Sequence, residues 1–271
     1  MKKRIIRIVL ILLGILLLLY AALRIYVAIE EKKRADAPGN ADAYDVAHLQ
    51  KHEASPLKGK TILFLGSSVT YGAAAEGQSF VELFEALDGV NVIKEAKSGT
   101  TLADKTSFLA LIAFGDGDSY VKRLKAVDPG QKIDCVVCQL STNDATLKMT
   151  LGKVSDSRDR ADFDTKTVTG AMEWIISYAQ ETWGCPVVFY TGSWYDSTAY
   201  AAMVDRLYDL QEKWDIGIID LYTDKGFNAV DDATYDFYMY DEIHPTKAGY
   251  AEWWFPKMEA DLIGFLTAKE A

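Results

Sequence analysis

Apolar residues are spaced along this chain in three ways. Residues 8–23 run without a charge, and beyond Arg24 the run resumes from Ile25 to Ile29. Residues 30–56 mix charges, alanines and two prolines with no apolar period. From Lys60 onward, short apolar runs alternate with stretches whose apolar residues recur every three or four positions. The short runs predict strands: TILFL (61–65), VNVIKEA (90–96), IDCVVCQL (133–140), PVVFYT (186–191) and IGIIDL (216–221). Between them the helical period predicts helices carrying Leu83, Phe84 and Leu87; Val168, Met172, Ile175 and Ala179; and Tyr200, Val204, Leu207 and Trp214. Ser79 and Glu82 read as a capping box and Gly89 as a helix stop. A last helix is expected from about Thr246, with Tyr250, Trp254 and Leu262 on one side and a kink at Pro256. Strands alternating with helices predict a parallel sheet covered on both faces. No internal repeat or low-complexity block interrupts the alternation.

The first apolar run is long enough to cross a bilayer, and Arg24 can reach the headgroups from its end. A cleavable signal peptide would share the basic start and the Leu-rich centre, but it needs a small-x-small site after them. Ala21 and Ala22 have Leu19 and Tyr20 two positions earlier, and ADA at 35–37 is distant and precedes Pro38. An uncleaved anchor is therefore the expectation. The chain then divides into an anchor (1–29), a linker (30–58) and a domain (59–271). Basic residues flank the run on both sides, so charge alone does not orient it; the signal-like layout argues that the domain is exported.

Residues 1–34 carry eight Lys and Arg against Glu30 and Glu31, which turns the net charge of −10 into −16 for the remainder. Such a surface repels polyanions and excludes nucleic acid as a partner. Cys135 and Cys138 resemble a CxxC pair, but three positions apart on a strand point to opposite faces, so they read as buried thiols.

In an open parallel sheet, ligands collect beyond the carboxyl ends of the strands. GSSVTYG (66–72) follows the first predicted strand, KSGTT (97–101) the second and STND (141–144) the third; DEIHP (241–245) precedes the last helix. Together they hold the parts of an acyl-transfer site. A serine hydroxyl needs a neighbouring base, usually an imidazole. His48 and His52 fall in the linker, so His244 is the base available inside the domain. Asp241, three residues earlier, can orient the ring. Backbone N–H groups of Ser68 and Gly99 and the Asn143 amide can serve a tetrahedral oxyanion.

These four stretches resemble the blocks of the SGNH or GDSL hydrolases, over roughly residues 60–268. GSSVTYG is similar to the first block with Ser68 as nucleophile, KSGTT to the second, STND to the third, and DEIHP to the block bearing the Asp-x-x-His pair. Ser67 stands where that family usually has Asp, and Ser141 where it usually has Gly; neither position carries the chemistry. The resemblance implies a flavodoxin-like α/β/α fold with a five-stranded parallel sheet and ester hydrolysis without cofactor or metal. The expected catalytic residues are Ser68, His244 and Asp241, with Ser68, Gly99 and Asn143 as the oxyanion hole. The expected partner is a small-molecule, glycan or lipid ester, met at a membrane surface. Two rival functions share these residues: acyl transfer to a sugar hydroxyl, and ligand binding without activity.

Each stretch alone has a plainer reading. Gly-Ser-Ser can be a turn, His-Pro-Thr a helix cap with Thr246 as the capping residue, Asn143-Asp144 the start of a loop and Gly99 a positive-φ position. Their order and shared edge favour the site. GDGDSY (115–120) contains a literal Gly-Asp-Ser but follows no predicted strand. Ser119 there reads as the cap of a helix through Val121, Leu124 and Val127, and a calcium loop on Asp116 and Asp118 has too few ligands. Tyr71, Trp194, Tyr195 and Tyr238 fall on loops near the same edge, where rim packing accounts for them.

Overall fold

A computed structural model describes residues 2–104 and 118–270. The segment 105–117, with Gly115, Asp116 and Gly117 of the GDGDSY stretch, lies outside the described residues. Five parallel strands form one sheet: β1 (Thr61–Gly66), β2 (Asn91–Ala96), β3 (Cys135–Gln139), β4 (Val187–Tyr190) and β5 (Gly217–Ile219), in the spatial order β2-β1-β3-β4-β5. That is the flavodoxin-like order, in which the chain leaves β1 in one direction and returns to β3 on the other side. Each strand falls within a residue or two of the predicted apolar run, shortened where a terminal residue has no ladder partner.

The period of two sorts side chains onto the two faces. Leu63, Leu65, Val136, Cys138 and Phe189 point into one core. They pack beneath α4 (Tyr120–Ala126), α6 (Val168–Trp183) and α7 (Thr198–Trp214). Ile62, Phe64, Cys135, Val137 and Tyr190 point into the other. Those pack beneath α3 (Phe80–Asp88) and α9 (Phe255–Glu270). Cys135 and Cys138 thus lie on opposite faces, both buried and unpaired, as the strand reading requires. Two short helices, α2 (Ser68–Tyr71) and α5 (Thr142–Thr146), stand directly after β1 and β3, and α8 (Asp232–Tyr238) precedes the last loop.

Helix boundaries follow the predicted signals. Ser79 and Glu82 form the capping box of α3, and Gly89 closes that helix in the left-handed conformation. Ser119 accepts the N–H of Lys122 as the cap of α4, so the serine of the literal Gly-Asp-Ser ends a loop and starts a helix. Ahead of Pro256 the helix takes a π-helical turn, Gly249–Trp254. The proline ring has no N–H for the carbonyl of Glu252, and the wider turn lets Phe255 N–H reach Tyr250 five residues back.

The amino-terminal apolar residues form one helix, α1 (Lys2–Ala35), whose long apolar side chains stand exposed. It is the one helix among the described residues long and apolar enough to cross a bilayer. Three 3₁₀ turns, Pro38–Asn40, Asp42–Tyr44 and Val46–His48, then run along the domain. Asn40 is buried there, donating to the carbonyl of Ala74 (2.6 Å) and accepting the N–H of Lys247 (2.8 Å). Asp45 accepts from Gln78 (2.8 Å) and Lys247 (2.6 Å), and Leu57 is fully buried in the core.

Candidate active site

Strand order reverses between β1 and β3, so the loops leaving their carboxyl ends diverge and open a crevice. Ser68 leaves β1 on one side of that crevice and Asn143 leaves β3 on the other. The turn from β1 into α2 is tight. A side chain at Gly66 would place its Cβ 1.7 Å from Thr70 Oγ1, so only glycine lets the helix fold back this closely. Gln139, at the end of β3, clamps the turn. Its Oε1 accepts Ser67 N–H (2.8 Å), Ser67 Oγ–H (3.2 Å) and Thr70 Oγ1–H (2.9 Å). Ser67 is thereby committed to the scaffold, while Ser68, 8% exposed, opens α2 toward the crevice.

Asp241 and His244 sit on a loop whose ends are tied. Met239 and Pro245 form an antiparallel bridge, Tyr240 N–H donates to the His244 carbonyl (2.9 Å), and Thr246 N–H donates to the Tyr238 carbonyl (2.8 Å). Thr246 caps the helix that follows and accepts Gly249 N–H at 3.2 Å, so the plain capping reading of His-Pro-Thr also holds. Within the loop, Asp241 Oδ1 accepts the N–H groups of Ile243 (2.9 Å) and His244 (2.8 Å). The His244 ring faces the same carboxylate, with Nδ1 at 2.8 and 2.9 Å from its two oxygens. A carboxylate can only accept, so the proton resides on Nδ1 and Nε2 is left with a lone pair. Nε2 lies 2.8 Å from Ser68 Oγ. Burial works to raise the pKa of Asp241, but the His244 ring and the two backbone N–H groups outweigh it and hold the group below the ordinary aspartate value.

The second and third stretches meet across the same crevice. Gly99 takes φ 75°, the left-handed region that favours glycine, in a turn that follows β2. Asn143 donates an amide hydrogen to the carbonyl of Thr100 (2.8 Å), which locks its amide plane to that turn. Ser68 N–H stands in the first turn of α2, ahead of any helical carbonyl it could reach. Ser68, His244 and Asp241 are joined in one hydrogen-bonded chain, and Asn143 is joined to Thr100, the residue after Gly99.

Three supporting residues escaped the sequence reading: Gln139, Arg123 and Asp144. Arg123, on α4, donates to the carbonyls of Gly66 (2.7 Å) and Glu95 and to Thr100 Oγ1 (3.1 Å), tying the ends of β1 and β2 to the Gly99 turn. Asp144 is buried and accepts the N–H groups of Leu102 (2.8 Å) and Ala103 (3.1 Å). Burial pushes its pKa up to about 6. Gln139 and Arg123 lie outside the four stretches that the sequence singles out, and Asp144 lies in STND but stands there only beside Asn143, as part of a loop start.

Beside the His244 loop a cleft opens along Glu242 and Tyr195. Its inner end is a cavity of about 10 Å³ lined by Ser193 and by Val69, Thr142 and Ile243, the last three adjacent in sequence to Ser68, Asn143 and His244. Tyr195 and Glu242 continue from it into an open cleft of about 450 Å³ bordered by Trp194, Asn228 and Trp253. Trp194 is 55% exposed, unlike a packed rim residue, and Tyr195 lines both parts of the cleft. Tyr71 is exposed on the other flank, whereas Tyr238 stacks on Trp253 at 5.9 Å as packing would have it.

Solved structures with this fold cover most of the chain. A protein from Lactobacillus plantarum is 19% identical with a TM-score of 0.60, over 78% of this chain and 98% of its own. A member of the lipolytic protein G-D-S-L family from Veillonella parvula DSM 2008 is 18% identical with a TM-score of 0.51, over 77% and 99%. The acetyl xylan esterase AlAXEase is 16% identical with a TM-score of 0.51, over 74% and 98%. At such identities the likeness is one of fold. No curated protein matches the chain in sequence. A family model does, over residues 64–252, a span that takes in the three strand-end stretches and DEIHP. By that match the chain belongs to the GDSL-like lipase/acylhydrolase family.

Proposed function

We propose that this protein is a serine esterase that cleaves carboxylic esters through an acyl-enzyme on Ser68. The observation that carries the reading is the 2.8 Å contact between Ser68 Oγ and the lone pair of His244 Nε2, with Asp241 behind the ring. His244 takes the Ser68 proton as Oγ attacks the ester carbonyl, and Asp241 stabilises the imidazolium that forms. The oxyanion is held by the N–H groups of Ser68 and Gly99 and by the Asn143 amide. His244 returns its proton to the departing alkoxide. Water then gives a proton to His244 as its oxygen attacks the acyl carbon, and the tetrahedral intermediate breaks its bond to Ser68 Oγ, which takes the proton back from His244 and frees the acid.

The substrate we favour is a short acyl ester, such as an acetyl group, on a polar carrier such as a sugar. A cavity of about 10 Å³ walled by Val69, the residue after the nucleophile, has room for little beyond a methyl group, and the larger cleft offers the exposed face of Trp194 with Asn228 and Glu242 at hand. In this reading residues 1–29 anchor the protein in a membrane, 30–58 link, and the domain from 59 works outside the cytoplasm. Helix α1 supports the anchor by its length and its exposed apolar surface.

The test is labelling with a fluorophosphonate probe. The folded wild-type chain is expected to be modified covalently, Ser68→Ala to be unmodified, and nitrophenyl acetate turnover to vanish with the label. A folded wild-type protein that resists the probe would favour a binding protein without activity.

A further inference from the structure

At the amino edge of the sheet, remote from Ser68, side chains from three separate stretches converge. His52 precedes β1, Asp88 ends α3 close to where β2 begins, and Glu259 stands one turn into α9. His52 Nδ1 lies 2.9 Å from Asp88 Oδ1 and 3.0 Å from Glu259 Oε1. One donor atom from each residue lies within 4.8 Å of the other two. The Asp88 side chain is completely buried, and its second oxygen, Oδ2, has no hydrogen-bond partner. Glu259 faces Asp88 carboxyl to carboxyl, and burial together with that neighbour pushes its pKa up.

A single imidazole N–H cannot satisfy this set of acceptors. Two carboxyl groups in contact need a proton or a cation between them, and the second Asp88 oxygen, buried, has no hydrogen-bond partner among the side chains present. The segment is also held in place: the His52 backbone N–H donates to the Leu87 carbonyl (3.1 Å), and the imidazole lies 6.2 Å from the Phe255 ring. We propose that His52, Asp88 and Glu259 form a site for a first-row divalent cation, with Zn²⁺ preferred over Mg²⁺ and Ca²⁺. One imidazole nitrogen and two carboxylate oxygens are donors that zinc accepts in a four-coordinate shell, the fourth position going to water on the side where His52 is exposed. Mg²⁺ and Ca²⁺ ask for more ligands, all of them oxygen. The ion would fasten the segment before β1 to α3 and α9, a structural role independent of the chemistry at Ser68.

The experiment uses the full chain in detergent micelles, stripped with EDTA, freed of chelator and titrated calorimetrically with ZnCl₂. One saturable site per chain is expected, with a Tm rise of roughly 5–10 °C at about a hundredfold excess over Kd. His52→Ala and Glu259→Gln should each weaken binding by about tenfold or more and abolish the Tm shift. His48→Ala should change neither, and fluorophosphonate labelling should persist in all three. Absence of saturable Zn²⁺ binding to the wild type would overturn the proposal. So would wild-type affinity in both ligand variants, or equal affinity for Mg²⁺. A Tm that responds to pH through this cluster yet ignores Zn²⁺ would assign the contact to a shared proton instead.

Discussion

Asp241 makes four contacts with two oxygens: both face the His244 ring, and Oδ1 also takes two backbone N–H groups. Because these hold its pKa below the ordinary value, it stays a carboxylate throughout the neutral range. Asn143 is fixed with similar economy, one amide hydrogen being spent on Thr100. As an oxyanion donor it should show its effect in turnover: Asn143→Ala is expected to lower kcat for nitrophenyl acetate by about 10² to 10³ with little change in fluorescence-monitored stability. A rate within a factor of a few of the wild type would remove it from the scheme. Ser68, Gly99, Asn143, Asp241 and His244 were legible in the sequence because each follows a strand or precedes a helix at one edge. Gln139 and Arg123 were not. Nothing local marks a glutamine at a strand end or an arginine within a helix as the clamp of a turn about seventy or sixty residues away.

Among the elements, α5 does more than present Asn143. Asp144, the next residue, anchors the Leu102–Ala103 backbone with a carboxylate forced into the interior. Its folded pKa of about 6 lies above the unfolded aspartate value, so the native state binds the extra proton between roughly pH 4 and pH 6. Stability is therefore greatest from this group below pH 4 and declines as pH rises through that window, by about 3 kcal/mol. Urea unfolding at pH 4 and pH 6 should show this decline in the wild type and its loss in Asp144→Asn; parallel behaviour of the two proteins would refute the assignment. The strands and long helices were readable from period two and period 3.6, and the capping box and Gly89 fixed α3 to the residue. The π turn was not readable. Pro256 announces a disturbance, but whether the helix bends or widens depends on how Tyr250 and Trp254 seat in the core.

Across the whole molecule, the sheet, the His244 loop and the Trp194 segment jointly set the size of what can be cleaved. A cavity of about 10 Å³ at the inner end predicts that kcat/KM falls steeply along a nitrophenyl series from acetate to octanoate, by about tenfold or more. A rate that rises with chain length would exclude the short-acyl reading and point to lipid esters. The seating of residues 38–58 could not be foreseen at this scale, since Asn40 and Asp45 are held by polar contacts that leave no apolar period.

The far end of α1 touches the domain beside the catalytic loop. Tyr240, the residue before Asp241, donates to Glu30 (3.2 Å), and its ring lies 5.6 Å from the guanidinium of Arg34. Glu30 directly follows the apolar run, and the helix rises only about 8 Å from there to its last residue. In the anchored protein that we propose, the hydrolase would then ride as a fixed outrigger and not swing on a leash. Its reach would be a thin layer hugging the lipid headgroups, and acyl groups on polymers farther out would come within range only where those polymers fold back toward the membrane.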